Sequence, residues 1–277
     1  MPRARIGCTG WSYPDWVGPF YAPGTPPTEW LRAYSRAFDF TEVDSSFYAA
    51  PSRERAASWA RATPDGFSFS LKLPRAITHD AKLRDTEDAV GSFLAALAPL
   101  RVEGKLGPCV AQLPPSFRYE ADAEALAAFV GAWPRDAPLV VELRNRSWWR
   151  EETYATLRDA GVALAWSVNE TGRTPPVRTA DLVYVRLVGD RALDETGGKW
   201  THVQRRQDEE IEHWRGVLGS ILENDPITTW IVANNHFMGF APETARVVAQ
   251  ALGVLAPQIE RVSRKEGQRG LGDFARE

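Results

Sequence analysis

The chain is 277 residues long, with 33 basic against 36 acidic side chains, a formal charge of −3 and 44% apolar residues. That profile excludes disordered, collagen-like and membrane-spanning classes, and the acidic balance argues against a protein whose main task is to hold nucleic-acid backbones. The start, Met-Pro-Arg-Ala-Arg-Ile, carries charge with no apolar run behind it, so a cytoplasmic protein with no membrane partner is expected. Cys8 and Cys109 are too few for a disulfide framework and read as small core residues.

Apolar runs of strand length alternate with helix-period stretches from end to end, the pattern of parallel βα units. A first strand over 5–9 is followed by a helix striped with Trp30, Leu31, Tyr34 and Phe38, then by a second strand over 39–43. The third strand, 66–72, precedes a helix with Val90, Phe93, Leu94 and Leu97 on one face, for which Asp85 or Thr86 is the expected N-cap. A fourth strand over 109–113 leads to a helix carrying Leu126, Phe129, Val130 and Trp133. The helix after the fifth strand, 139–143, ends on Gly161. Strands over 163–168, 182–187 and 228–233 complete the set. Stripes through Ile211, Trp214 and Leu218, and through Val248, Ala251, Leu252 and Leu255, mark the last two helices.

Eight units of about 35 residues fit an α/β (β/α)8 TIM barrel, read as a single domain over 1–260 with a flexible charged tail over 261–277. Between residues 169 and 181 the chain is too short and too proline-rich for a crossover helix, so the sixth helix should be short or missing. A doubly wound nucleotide-binding sheet is disfavoured, because Gly7-Cys8-Thr9-Gly10-Trp11 is not G-x-G-x-x-G and no Walker loop occurs.

Buried parallel strands normally read as continuous Val/Ile/Leu runs, yet several here become charged at their C-terminal ends. The period of two groups Glu42 with Asp44, Ser68 with Ser70 and Lys72, Val140 with Glu142 and Arg144, and Tyr184 with Arg186. The larger apolar residues fall on the opposite faces and should meet the helices, so the polar faces point into the barrel. Three carboxylates (Glu42, Asp44, Glu142) and three cations (Lys72, Arg144, Arg186) must then be mutually paired and partly wet. The C-terminal mouth, where barrel enzymes build their sites, is the place for them. Gln112, Asn234, Asn235 and His236 arrive at the same level, His79 lies just past a strand end, and Trp11, Tyr13, Phe47, Tyr48, Trp148 and Trp149 supply aromatic walls. Four histidines with no H-x-H, H-E-x-x-H or C-x-x-C spacing give no metal motif; Glu42, Asp44, Glu142 and His236 are the one oxygen-rich combination, and no cofactor is expected. Gly197-Gly198-Lys199 reads as a solvated loop, and no Gly-x-Ser-x-Gly occurs.

Several segments carry a resemblance: Ile6-Gly7-Cys8-Thr9-Gly10-Trp11-Ser12-Tyr13, Phe40-Thr41-Glu42-Val43-Asp44-Ser45-Ser46-Phe47-Tyr48, Phe69-Ser70-Leu71-Lys72-Leu73-Pro74 with Ile77-Thr78-His79, Gln112-Leu113-Pro114-Pro115, Glu142-Leu143-Arg144, Val185-Arg186-Leu187 and Asn234-Asn235-His236. In collinear order over residues 5–257 the chain resembles the YecE-like family (domain of unknown function 72). The resemblance implies a TIM barrel and supplies no reaction. Asp44 stands where the family usually carries Asn, which adds a negative charge.

The inward charges lead to the expectation of an enzyme acting on a small polar anionic substrate, a sugar or a phosphorylated or carboxylated derivative, by acid/base hydrolysis or isomerisation. Glu42 and Glu142 flank the substrate as acid and base, His236 shuttles a proton, and Lys72, Arg144 and Arg186 hold the anion. Asp44, Gln112, Asn234, Asn235, Trp11, Tyr13, Tyr48, Trp148 and His79 are the further substrate ligands. Two other readings stay open. One is a metal-dependent nucleic-acid-processing enzyme similar to barrel endonucleases, favoured by Arg144-Asn145-Arg146 with Trp148 and Trp149 and opposed by the net charge. The other is a non-catalytic small-molecule-binding protein.

Overall fold

The structure, a computed structural model, describes residues 4–169, 172–189, 193 and 199–254. The expected tail over 261–277, Leu255 and the Gly197-Gly198 pair lie outside the described residues. Nine strands follow in chain order: β1 (Ala4–Thr9), β2 (Phe40–Val43), β3 (Ser68–Lys72), β4 (Leu106–Gln112), β5 (Leu139–Glu142), β6 (Ala163–Asn169), β7 (Gly172–Arg173), β8 (Leu182–Gly189) and β9 (Thr228–Ala233). β1 to β6, β8 and β9 pair in parallel around a closed ring in which β9 returns to β1, the TIM-barrel arrangement expected. β7 is an antiparallel flap on β6.

The outside is covered by α1 (Trp30–Ala37), α2 (Arg53–Ala62), α3 (Glu87–Ala96), α4 (Ala98–Val102), α5 (Tyr119–Ala132), α6 (Glu151–Ala160), α7 (Asp208–Asn224), α8 (Asn235–Met238) and α9 (Ala241–Ala251). Among the described residues no helix joins β6 to β8, as the proline-rich crossover demanded. Thr179 instead pins that segment down, its hydroxyl donating to Val162 O at 2.7 Å and accepting from Leu164 N at 2.8 Å. Gly161 closes α6 with φ 64°. Of the two residues expected to cap α3, Thr86 takes the N-cap position, with its hydroxyl turned back to Leu83 O rather than onto the helix, and Asp85 precedes it at φ 51°. β4 begins earlier than the expected Cys109, at Leu106, with a register shift opposite Phe69 and Leu71.

The alternation assigned from sequence is the one observed. Phe67, Phe69, Leu71, Val141, Leu143, Val183, Val185 and Leu187 belong to the large cluster between sheet and helices. The barrel interior holds a smaller apolar layer of Phe40, Val110, Val140, Ala163, Ala165, Tyr184, Trp230 and Val232. Below it Arg5 donates to Gly66 O and Ser68 Oγ, both at 3.0 Å, and lies over the Trp230 ring. Cys8 and Cys109 are free and buried. No described helix is long and apolar enough to cross a membrane.

One contact in the β1–β2 ladder is made by a side chain. The Tyr34 hydroxyl accepts from Cys8 N at 2.6 Å and donates to Phe40 O at 2.9 Å, so it bridges two backbone groups that would otherwise face each other. Tyr34 is fully buried. Tyr34→Phe should therefore orphan one buried N–H and one buried C=O and lower stability by about 2–3 kcal/mol, read as a shift in the urea midpoint with an unchanged slope.

Candidate functional site

The ends of β2, β5 and β8 meet inside the barrel mouth on Arg186. Its Nε donates to Glu42 Oε2 at 2.9 Å, one Nη donates to Glu42 Oε1 at 2.5 Å, and the other donates to Glu142 Oε2. Glu142 also accepts from Arg144 Nε at 2.8 Å. Glu42 is steadied from below by the Tyr184 hydroxyl, which donates to it at 3.0 Å, with Ser70 Oγ 2.7 Å from that hydroxyl and 2.6 Å from Pro108 O. Both glutamates are 0% exposed and Arg186 is 4% exposed.

Burial by itself would push the Glu142 carboxyl up, but Arg186 and Arg144 outweigh it and hold the group at about 2. Burial likewise works against the charge of Arg186, and the two glutamates reverse that effect and keep the guanidinium well above its usual range. The floor of the mouth is thus a closed clamp of two glutamates on one arginine.

That geometry corrects three expected roles. Glu42 and Glu142, fully buried and committed to Arg186, do not stand on either side of an open space as acid and base. Arg186, with three of its nitrogens spent on them, does not present its fork to an anion.

What faces the opening lies above the clamp. Lys72 ends β3 with its ammonium 4.0 Å over the centre of the Phe47 ring, and among the described residues it forms no hydrogen bond or ion pair. Burial and the neighbouring Arg186 pull it down to about 8 against the opposing pull of Glu142 and Glu42. Asp44 is half-buried and has no ion pair among the described residues; burial and then Glu42 raise its carboxyl above the usual range, with Lys72 and Arg186 acting the other way. Gln112 lies in register with Glu142 and, at 6% exposure, has no side-chain hydrogen bond among the described residues. His79 packs edge-on against Phe47 at 4.8 Å and is held neutral, at about 4, by burial and then by Lys72.

The remaining expected ligands separate into two groups. Trp11 and Tyr13 line a cleft of about 480 Å³ beside the mouth, with Asp44, Ser12, Ser45, Arg55 and Trp59. Trp11 and Trp59 meet edge to face at 5.4 Å, and the Tyr13 hydroxyl donates to Thr9 O. His236 stands at the same end, its Nδ1 2.7 Å from Asn234 Oδ1 and its ring edge-on to Trp200. Because Asn234 Oδ1 also accepts from His236 N, it is an acceptor to both, and the lone pair of a neutral ring lies on Nε2. Three expectations fail. Trp148 is buried under α5, stacked on Phe117 with Nε1 donating to Phe117 O. Asn235 is buried with Oδ1 accepting from Ala241 N. Tyr48 is 83% exposed and only leans on Phe47.

The sequence reading missed Arg55 and Trp59, although their i, i+4 spacing after Ser52, which caps Arg55 N, was a usable signal for a helix. It also assigned no task to the Ser70 and Tyr184 hydroxyls. No described group of three or more His, Cys, Asp or Glu is placed to hold a metal ion, so the combination of Glu42, Asp44, Glu142 and His236 does not form one.

Similarity to other proteins follows the same lines. The family model described as "Protein of unknown function DUF72" matches residues 5–268. The UPF0759 protein YunF of Bacillus subtilis (strain 168) is 27% identical over 279 residues, covering 91% of this chain and 97% of that protein. The UPF0759 protein YecE of Escherichia coli (strain K12) is 33% identical over 140 residues, which is 50% of this chain and 48% of that protein. The crystal structure of a DUF72 family protein from Thermotoga maritima MSB8 superposes with a TM-score of 0.75 at 26% identity, covering 90% of this chain and 99% of that one. One from Enterococcus faecalis V583 gives 0.74 at 22% identity over 92% and 98%, which supports the fold alone.

Two stability measurements test the electrostatics. Arg186→Met removes the cation paired with buried Glu42 and one of the two paired with Glu142, and should cost about 3–5 kcal/mol at pH 7. Glu142 contributes stability that is full above the ordinary Glu value, about 4.3, and is lost as pH falls toward about 2, so the deficit of the variant should shrink across that window. Lys72 has the opposite sign. A base held below its unfolded value opposes folding while charged, so Lys72→Met should be more stable than the parent at pH 7, and the gap should close between about pH 8 and the unfolded value near 10.4.

Proposed function

The chain belongs to the DUF72 family, a family of unknown function, and on that premise we propose that its barrel mouth is the active site of an enzyme acting on a small polar anionic substrate by acid/base chemistry, hydrolysis or isomerisation of a sugar derivative. The observation that carries this reading is Lys72: beside two guanidiniums that are met by carboxylates, its ammonium lies over an aromatic ring and, among the described residues, forms no hydrogen bond or ion pair.

The roles follow from reach. Lys72 attracts the anionic end, and the Gln112 amide adds a donor and an acceptor next to it. Asp44, whose raised carboxyl is poised nearer neutral pH than an exposed one, borders both the mouth and the cleft and serves as the acid/base group. The Trp11–Trp59 pair and Tyr13 form a wall for a polyhydroxylated ring, with the exposed Arg55 at the rim. The Glu42–Arg186–Glu142 clamp holds these groups in place and keeps the local field fixed.

The test is turnover. Incubated with a panel of sugar phosphates, sugar acids and hydroxy acids and followed by NMR, the protein should convert at least one compound. Asp44→Asn and Lys72→Met should each lower that rate by about 10²-fold or more. A panel recovered unchanged, or a conversion indifferent to both substitutions, overturns the reading.

A further inference from the structure

We infer that Lys72 is a nucleophile, its Nζ forming an imine with a small carbonyl compound that carries an anionic group. This rests on the reading of the mouth as the substrate site and narrows its substrate class.

The contrast within the chain is with Lys105. That lysine, 5% exposed, is held by three oxygens, Ala60 O at 2.6 Å, Thr63 O at 2.7 Å and Thr63 Oγ1 at 3.4 Å, and so closes the end of α2. The Lys105 ammonium is thus surrounded by acceptors, whereas that of Lys72 has none among the described residues. It lies over the Phe47 ring, at the end of the barrel where two guanidiniums, Arg186 and Arg144, are already fixed by carboxylates. Shelter from water and nearby cations both favour the uncharged amine, the form that attacks carbonyls. The groups around it match the needs of that reaction. The Gln112 amide N–H2 is available to the anionic substituent, the Asp44 carboxyl supplies and takes protons, and His79 adds no competing charge.

The step balances without an oxidant or reductant. The Nζ lone pair bonds to the carbonyl carbon while the C=O π pair moves to oxygen, which takes a proton from Asp44, and the nitrogen returns one to the Asp44 carboxylate. Asp44 gives that proton to the resulting hydroxyl, which leaves as water as the nitrogen lone pair closes the C=N bond, and Asp44 is left as carboxylate. Carbonyl, amine and one proton thus become protonated imine and water. The positive nitrogen then acidifies the adjacent C–H. The Asp44 carboxylate removes that proton, and a proton returned to the opposite face of the same carbon inverts it, an isomerisation that leaves an imine for water to cleave.

The experiment uses the full chain with two probe pairs, pyruvate with lactate and dihydroxyacetone phosphate with glycerol 3-phosphate. Incubation with either carbonyl compound and sodium cyanoborohydride, then peptide mapping, should show Lys72 gaining the mass of the probe less one oxygen, about tenfold faster than Lys82, Lys105 or Lys199. Lys72→Arg, which keeps a cation and cannot form the imine, should bind lactate or glycerol 3-phosphate within about threefold of the parent while losing the fast label. Labelling at Lys72 no faster than at Lys82, or none, overturns the imine. If the hydroxy compounds then still bind and Lys72→Met abolishes that binding, the substrate-site reading survives alone; if none of the four compounds binds, both are lost.

Discussion

An arginine at the centre of a closed barrel is tolerable only if its charge is answered by contact, and the contacts available set what every neighbouring residue is able to do. Arg186 reaches across the interior from β8 and takes Glu42 from β2 and Glu142 from β5, three strands spaced almost evenly around the ring of eight. The clamp therefore ties the sheet to itself across its axis as well as along its ladders. It also extends downward. Tyr184 holds Glu42, Ser70 stands against Tyr184, and the Pro108 carbonyl stands against Ser70, so the polar column reaches the level of the apolar layer. Two hydroxyl hydrogens serve three short contacts, so with Tyr184 donating to Glu42 the Ser70 hydrogen goes either to Tyr184 or to the Pro108 carbonyl.

How much of this the sequence discloses depends on which physical quantity fixes each feature. The inward faces of β2, β3, β5 and β8 are legible because strand periodicity is two whatever the partners, and charges on one parity of a buried strand have few other places to go. The missing sixth crossover helix is legible from proline chemistry alone. Pairing is not legible. That Glu42 and Glu142 both close on Arg186, leaving Lys72 aside, depends on side-chain reach across the barrel, and composition gives six charges with no preference among their combinations. The aromatic residues show the same division. Trp148 and Trp11 both follow strand ends, yet Trp148 stacks on Phe117 beneath α5 while Trp11 lines the cleft, a difference decided by helix packing well removed in sequence. The Tyr34 hydroxyl in the β1–β2 ladder lies further still from any pattern, since its stripe position specifies only that the ring is buried.

The mouth carries as many positive as negative groups, with Glu42, Asp44 and Glu142 against Lys72, Arg144 and Arg186, and the whole chain is slightly acidic. Long-range attraction would therefore contribute little to gathering the anion proposed above. Discrimination rests on what is left unanswered locally. The two arginines are fixed to carboxylates, and at the opening that leaves an ammonium, an amide and a carboxyl with no close partners among the described residues.

A barrel plugged for stability alone would pair Lys72 with Asp44, which ends the adjacent strand. The two charges lie near enough to influence each other, and no ion pair joins them. Nor would a plug sustain a charged lysine in a setting that favours its neutral form, since an apolar side chain of similar length over Phe47 removes that penalty and fills the same space. Sequences that otherwise obey their local rules break them where chemistry requires it, and here the break is confined to one strand end. The clamp gives the reason the departure is sustainable. By neutralising Arg186 and steadying Glu42 within hydrogen-bond distance, it lets a single amine remain uncompensated beside two guanidiniums without unravelling the barrel around it.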